Sequence, residues 1–573
     1  MGEPVRVIEI RVLDGPNLYF PRPAIKLTLD APGWMRASED RLASIVQRLG
    51  PWASTTTVGA PHTEQRRRGV ARIASRLARA IALASGSQRL AVRGRLGPAP
   101  DQVVVAFPWR RRNAAEVLAA ETAWALGAML RRSPQRVIAE AATRVGATDP
   151  GPEPTVPDPS VPVIQVTGTN GKTTTVRLLA HLVRSAGRTV AYSSTDGVFS
   201  GDGVLIQAGD YSGFGGAAIA MAQGPDIAVL ETARGGLLLR GCGVQHNDVA
   251  VVTNVSADHL GLHGIDTVDQ LAEVKAVITR ITRPDGWVVL NADDPRVLAM
   301  RRQATGRPWL FSLDPDHPAF REVLAHGGRA MSIQDGRMTW FDRRETHVMV
   351  SMLDVPVTLA GVSAINAQNA MAAATAALAI GLGQRAVVRG LKSFVQDPDR
   401  NPGRANLFDL GGRIVMLDYA HNEAGMTGMT EALQGLRRPG NQVWLAICTA
   451  GDRTDEILHA FGFRAAVGSD HLAIAELEHY LRGRTREDIV QRLREGAREA
   501  GMNDVALFRD ELTALQAMLV EAQEGDVVGI TALGMRPEMF AWLEAHGATW
   551  MSPTDVRRVV RRAQRSGPVR TPS

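Results

Sequence analysis

The chain has 573 residues, of which 45% are hydrophobic and 22% charged, and its 65 basic against 59 acidic side chains leave a net charge of +6. At roughly 100–200 residues per domain this length calls for several domains, and the composition excludes a mostly disordered chain and a polytopic membrane protein. Two cysteines, Cys242 and Cys448, exclude a disulfide framework and a cysteine-based zinc site, and with no apolar leader core in Met1–Ile10 the chain reads as cytoplasmic.

Only four of the 65 cations are lysine (Lys26, Lys172, Lys275 and Lys392), and aromatics make up 5%. A nucleic-acid surface clusters its cations and interleaves aromatics, so this balance argues against one. No apolar run is long enough to span a bilayer, so no membrane partner is expected. A lysine inside a motif, being rare here, carries information.

From the N-terminus, residues 1–146 read as a small α+β domain. Alternating text at Val5–Val12 and Ala24–Leu29 flanks a turn at Asp14-Gly15-Pro16-Asn17. Val70, Ile73, Leu77 and Ile81 recur at helical spacing, Val103–Phe107 reads as a buried strand, and Ala114–Leu130 as a further helix. The runs Arg66–Arg68 and Arg110–Arg112 suit either a solvated face or attraction of an acidic chain. Residues 147–161, rich in Pro, Asp and Gly, read as a linker.

From 162 to 400, strands alternate with helices: Val163–Val166, Ile227–Leu230, Val249–Thr253 and Trp287–Leu290, with a helix at Asn366–Ile380 closing the series. That alternation argues for an α/β domain with a parallel sheet. A boundary falls at Asp399–Gly403, and 401–550 repeats the pattern as a Rossmann-like α/β domain, with strands at Ile414–Leu417, Val443–Ile447 and Val527–Ile530. Residues 551–573, dense in arginine, read as a fraying tail, with Arg557 to Arg565 a disordered or helical surface segment.

The chemistry concentrates where Val163–Thr167 runs into Gly168-Thr169-Asn170-Gly171-Lys172-Thr173-Thr174. A buried strand, a glycine loop and a helix start are what phosphate binding needs. Backbone N–H groups close on phosphate oxygens, Lys172 reaches the outer phosphates, and Thr173 offers a hydroxyl to Mg²⁺. Mg²⁺ needs further oxygens, and strand-end carboxylates supply them. Leu230-Glu231 ends one strand, and Thr253-Asn254 with Asp258-His259 follows another, so the three segments would converge beyond the carboxyl ends of one sheet.

This loop, Glu231, Asn254…Asp258-His259 and Lys275 resemble the Mur ligase superfamily of ATP-dependent amide-bond ligases. So do Asn291–Pro295, Asn366–Ala370, Pro402-Gly403-Arg404 and Asp418–Asn422. Leu230–Arg240, Asn401–Leu410, Gly451–Asp455 and Tyr480–Arg484 are similar to the Mur-like half of cyanophycin synthetases, and Arg11–Asn17 to their amino-terminal domain. The linker stands where those enzymes carry an ATP-grasp module.

The resemblance implies roles residue by residue. Gly168, Thr169, Asn170, Gly171, Lys172, Thr173 and Thr174 would hold ATP phosphates, with Thr173 and Glu231 on one Mg²⁺. His259 would serve a second Mg²⁺, helped by Lys275 as a carbamate. Asn366 and Asn369 would meet adenine, although Ile365 replaces the family's histidine. Arg404 would reach the γ-phosphate when domains close, and Asp418 and His421 would form the nucleotide-side loop of the last domain. The implied function is ATP-dependent acid–amino acid ligation through an acyl phosphate. It would join an amino acid such as arginine to a carboxylate of an acidic peptide or polymer. The alternatives are a non-catalytic binding partner of a separate ATP-grasp ligase and a folylpolyglutamate-type ligase. A homo-oligomer and a separate ATP-grasp partner enzyme are both compatible with the first reading.

Overall fold

The computed structural model describes residues 4–49, 58–87, 89–201, 203–476 and 480–565. Three sheets follow one another along the chain. The first has four antiparallel strands in the order Arg6–Leu13, Ala24–Asp30, Gln102–Pro108, Arg93–Leu96. Period-two alternation gives each face its own partner. Ile25, Leu27, Leu29, Val103, Val105 and Phe107 form one core with residues of the helices Glu64–Ala84, Arg112–Ala128 and Pro134–Gly146. Ala24, Val104 and Ala106, with Leu13, Leu18, Tyr19 and Phe20, enter a cluster that also holds Leu237, Cys242 and Val274 of the next region.

Of the two arginine runs, Arg66 is buried and Arg67 partly so, while Arg68 and Arg110 to Arg112 stay exposed. Arg66 is 0% exposed, and its guanidinium donates to the carbonyls of Trp34, Met35, Ala37 and Gly59 at 2.9, 3.3, 2.6 and 3.0 Å. Arg67 donates to the Gly97 and Ala99 carbonyls, Arg111 pairs with Glu153, and Arg112 pairs with Glu116. Buried carbonyls need donors, and arginine supplies five from one side chain. Residues 147–161 have no regular element, yet they are held down: the carbonyls of Pro150, Pro152 and Pro157 accept from the amides of Ala114, Arg112 and Gln245.

The second sheet has eleven strands, and the phosphate-loop strand Val163–Thr167 lies in its interior between Asn247–Val252 and Ile227–Glu231. Seven strands run parallel, from Arg329–Gln334 across to Val190–Ser194. Antiparallel additions close both edges: Arg337–Phe341 with Thr346–Ser351 on one side, Gly197–Phe199 with Leu205–Ala208 on the other. These edge strands were not expected from the sequence. Against the sheet lie the phosphate-loop helix Lys172–Ser185 and the alanine-rich helix Ala364–Ala379, which is buried nearly all round. Small side chains let its backbone approach its neighbours closely, and alanine is also the best helix former.

The third sheet orders its strands as Val505–Phe508, His471–Ala475, Val443–Ile447, Val527–Thr531, Arg413–Asp418, Asn406–Leu410, Thr549–Trp550, the first five parallel. The expected tail is corrected here. Pro553–Arg565 is a helix whose Val556, Val560 and Ala563 are buried, and Val556 and Val560 belong to the core of the third region. A stripe at positions i, i+4 and i+7 outweighs the charge density around it, because burial of one face suffices to dock a helix. Residues 566–573 lie outside the described residues.

Candidate active site

Strand ends and loops from the second and third regions enclose a cavity of about 740 Å³. Every expected site residue lines it: Gly168 to Thr174, Glu231, His259, Lys275, Asn366, Asn369, Arg404, Asp418 and His421.

The glycine loop is shaped by the neighbouring strand end. Thr169 N donates to Asn254 O at 2.9 Å and Asn170 N to Asn254 Oδ1 at 2.9 Å, while Thr253 Oγ1 donates to Asn170 O at 2.6 Å. Two glycines are required by contact as well as by backbone. A Cβ at Gly168 (φ +155°) would sit 1.8 Å from Thr253 Oγ1, and one at Gly171 (φ +82°) 2.0 Å from Asn369 Oδ1. Gly171 is the N-cap of the helix Lys172–Ser185, so the helix N-terminus opens into the cavity. Lys172 Nζ rests on Thr169 O at 2.9 Å.

Glu231 is 1% exposed, and its Oε2 accepts from Thr173 Oγ1 at 2.9 Å. Its Oε1 is buried with no hydrogen-bond partner. Burial raises the Glu231 pKa, against the pull of the Lys172 charge and the Thr173 hydroxyl. A carboxylate oxygen left over beside a threonine hydroxyl and a lysine fits a Mg²⁺ that takes its remaining ligands from water and phosphate. Among the described residues no group of three or more His, Cys, Asp or Glu could hold a metal by itself.

Lys275 is 3% exposed and donates to Gly168 O at 2.6 Å. Burial, then the Lys172 charge, hold its pKa well below the ordinary lysine value. His259 meets the third region through one ring nitrogen. Its Nδ1 lies 3.2 Å from Asp452 Oδ2 and 3.0 Å from Arg453 Nη1, both from the third region, and its backbone is left-handed at φ +50°.

The third region closes the cavity through Arg404, Asp418 and His421. Arg404 lies over the Tyr419 ring at 4.3 Å, and Asp418 Oδ2 accepts from Ala405 N at 2.8 Å. Burial raises the Asp418 pKa, opposed by Arg404. His421 Nε2 faces Asp258 Oδ2 at 3.7 Å across the junction. Burial would raise the Asp258 pKa, but His421, Arg453 and His259 hold it far below the carboxylate range. Asn366 and Asn369 bond each other at 3.1 Å, and Ile365 packs towards Gly428.

Sequence reasoning missed several groups that shape the junction. Asn170 of the loop and Asn422 of the third region exchange two amide hydrogen bonds, 3.0 and 2.9 Å. Arg453, 5% exposed, lies between Asp258 and Asp452 at 3.1 and 2.6 Å. Asn422 and Asp452-Arg453 stood inside quoted motifs, but nothing local marks their partners.

Residues 166–377 match the family model of the Mur ligase middle domain, and residues 403–534 that of the Mur ligase, glutamate ligase domain. The chain is 37% identical over 372 residues to the cyanophycin synthetase of Crocosphaera subtropica, covering 65% of this chain and 42% of that one. It thus spans less than half the length of the curated cyanophycin synthetases it matches. It is 30% identical over 416 residues to the UDP-N-acetylmuramyl-tripeptide synthetase of Deinococcus radiodurans, covering 70% of this chain and 79% of that one. A solved bifunctional folylpolyglutamate synthase/dihydrofolate synthase with Mn, AMPPNP and L-glutamate bound is similar in fold. It has a TM-score of 0.50 and 16% identity, and covers 68% of this chain and 91% of that chain.

Proposed function

We infer the chemistry from one premise: this chain belongs to the Mur ligase family. It is an ATP-dependent C–N ligase that works with a divalent metal, here Mg²⁺, and joins an amino acid to a carboxylate. The acceptor is an acidic peptide or polymer, and arginine is the first amine to try, in keeping with the similarity to cyanophycin synthetases. The observation that carries this reading is the buried Glu231–Thr173 pair, with one carboxylate oxygen unpartnered, beside Lys172 in the cavity that Arg404 enters from the third region. We divide the chain into a first domain (1–146), a linker (147–161), a nucleotide domain (162–400), a closing domain (401–550) and a terminal segment (551–573).

The proposed reaction has two steps. The acceptor carboxylate attacks the γ-phosphorus of ATP, ADP leaves, and an acyl phosphate forms. The amine then attacks the acyl carbon, inorganic phosphate leaves, and a proton is lost as the amide forms. The loop amides and Lys172 stabilise charge on the phosphate oxygens, and Arg404 adds a second cation from the other side. Thr173 and Glu231 would hold the Mg²⁺, which neutralises phosphate charge when bound. Lys275, as a carbamate, and His259 would hold a second ion, and the lowered Lys275 pKa favours the uncharged amine that carbamate formation requires. Asn366 and Asn369 border the base site. A cytoplasmic location suits a reaction that consumes ATP. Among the described residues no helix is long and apolar enough to cross a membrane.

The test is an ADP-release screen of amino acids against acidic peptides, with Lys172→Ala as control. Loss of loop charge should lower turnover by about 10²–10³-fold with an unchanged melting temperature. Parent-level turnover in that variant would remove the loop from the mechanism. No ADP release with any amine and acceptor would favour the non-catalytic partner of a separate ATP-grasp ligase.

A further inference from the structure

The cavity wall built by the third region carries an ion cluster that meets the phosphate site through His259. Asp452 is its centre. Oδ1 accepts from Arg453 Nη1 at 2.6 Å, and Oδ2 accepts from Arg482 Nη1 at 2.5 Å. The two cations differ in kind. The Arg453 side chain is 3% exposed and also meets Asp258, so it is a fixed internal counter-ion. The Arg482 side chain is 47% exposed and reaches in from a left-handed backbone position at φ +47°. His259 Nδ1 also lies 3.2 Å from Asp452 Oδ2, and His421 Nε2 lies 3.7 Å from Asp258 Oδ2, so Arg482 is the exposed member of a cluster whose other groups are held inside. Both Asp452 and Arg482 line the cavity that holds Lys172 and Glu231.

We propose that Asp452 recognises the side chain of a basic amino acid, the incoming amine of the ligation, and that the Arg482 guanidinium holds that place until the amino acid displaces it. The proposal rests on the ligase reading above. The exchange trades one cation for another, so the net charge of the cavity is unchanged and Arg453 keeps both carboxylates. A guanidinium suits the position better than an ammonium, because its planar fork can donate to both oxygens of a carboxylate. The displaced Arg482 moves into water it already half occupies. A neutral isostere such as citrulline would displace Arg482 and leave the cluster short of a cation.

The test uses the full chain with ATP, Mg²⁺ and an aspartate oligomer, comparing L-arginine with L-citrulline by ADP release. A second arm measures binding of both amino acids by calorimetry with a non-hydrolysable ATP analogue. The parent protein should prefer arginine by about 30-fold or more, and Asp452→Asn should remove most of that preference. Arg482→Ala should lower the arginine KM about two- to fivefold, the worth of a half-exposed ion pair, with the ATP KM unchanged. A purely structural Arg482 would raise the arginine KM or leave it alone. An unchanged arginine-to-citrulline ratio in Asp452→Asn, or no fall in KM in Arg482→Ala, overturns the proposal while leaving the ligase reading intact. If Asp452→Asn does not fold, the Arg482→Ala result decides. If no amine supports ADP release, the ligase reading fails and calorimetry decides the recognition: arginine binding tightened by Arg482→Ala supports it, and no arginine binding refutes it.

Discussion

At Glu231 two demands oppose each other. Its burial disfavours the charged form, yet a metal requires the carboxylate. Glu231→Gln should therefore melt no lower than the parent, while metal-dependent ADP release falls by more than the ~10–100-fold typical of an outer-shell partner. A lower melting temperature with turnover retained would make Glu231 a structural residue. His181, on the phosphate-loop helix, gives a pH signature. Burial, with nearby Arg184 and Arg400, lowers its pKa to about 4. Its ring nitrogen shares a hydrogen bond with Ser393 Oγ at 2.8 Å. The folded state holds this imidazole neutral, whereas the unfolded chain binds a proton below about 6.5. Stability should thus be intact above pH 6.5 and fall as pH drops towards 4. His181→Gln should flatten that part of the curve of melting temperature against pH, and an unchanged curve would refute the assignment.

Between elements, the coupling lies at the segment that joins the second and third regions. Arg177 of the phosphate-loop helix pairs with Asp196 at 2.8 Å and donates to Arg400 O at 3.1 Å. Arg536 of the helix Arg536–Ala545 approaches the other oxygen of Asp196 at 3.7 Å and donates to Pro402 O at 3.1 Å. Two arginines from two regions thus clamp the segment that carries Arg404. Arg177 is 7% exposed, so it depends on its acid. Asp196→Asn should cost about 1–3 kcal/mol, discounted from a fully buried pair because Asp196 is partly exposed. It should lower kcat more than it raises the ATP KM, and Asp196→Glu should restore part of the loss. Equal effects on kcat and KM would argue against this coupling role.

Across the whole molecule, the first region is more than a module on a linker. Leu13, Leu18, Tyr19 and Phe20 share a cluster with Leu237 and Cys242, Cys242 N donates to Pro16 O at 2.6 Å, and Arg95 pairs with Glu273 at 2.8 Å. Deleting residues 1–146 should expose apolar surface of the second region, lowering solubility and the melting temperature. A truncated protein as stable as the full chain would refute this.

The sequence by itself determined what is local. A buried strand, a glycine loop and a helix start lie within Val163–Ser185, so the order that marks a phosphate loop is written in neighbouring positions, although Thr253 and Asn254 give that loop its final shape. The alternation of strands and helices likewise determined the α/β class, because hydrophobic periodicity is written in neighbouring positions. Tertiary structure alone decided the rest. Asn170 meets Asn422 across 252 positions, and His259 meets Asp452 across 193. No spacing rule relates residues so far apart. The same holds for Arg66, whose run looked like solvated charge until folding placed carbonyls from positions 34 to 37 around it. A charged side chain is surface or core according to what the fold brings beside it, and that is set by the packing of distant elements.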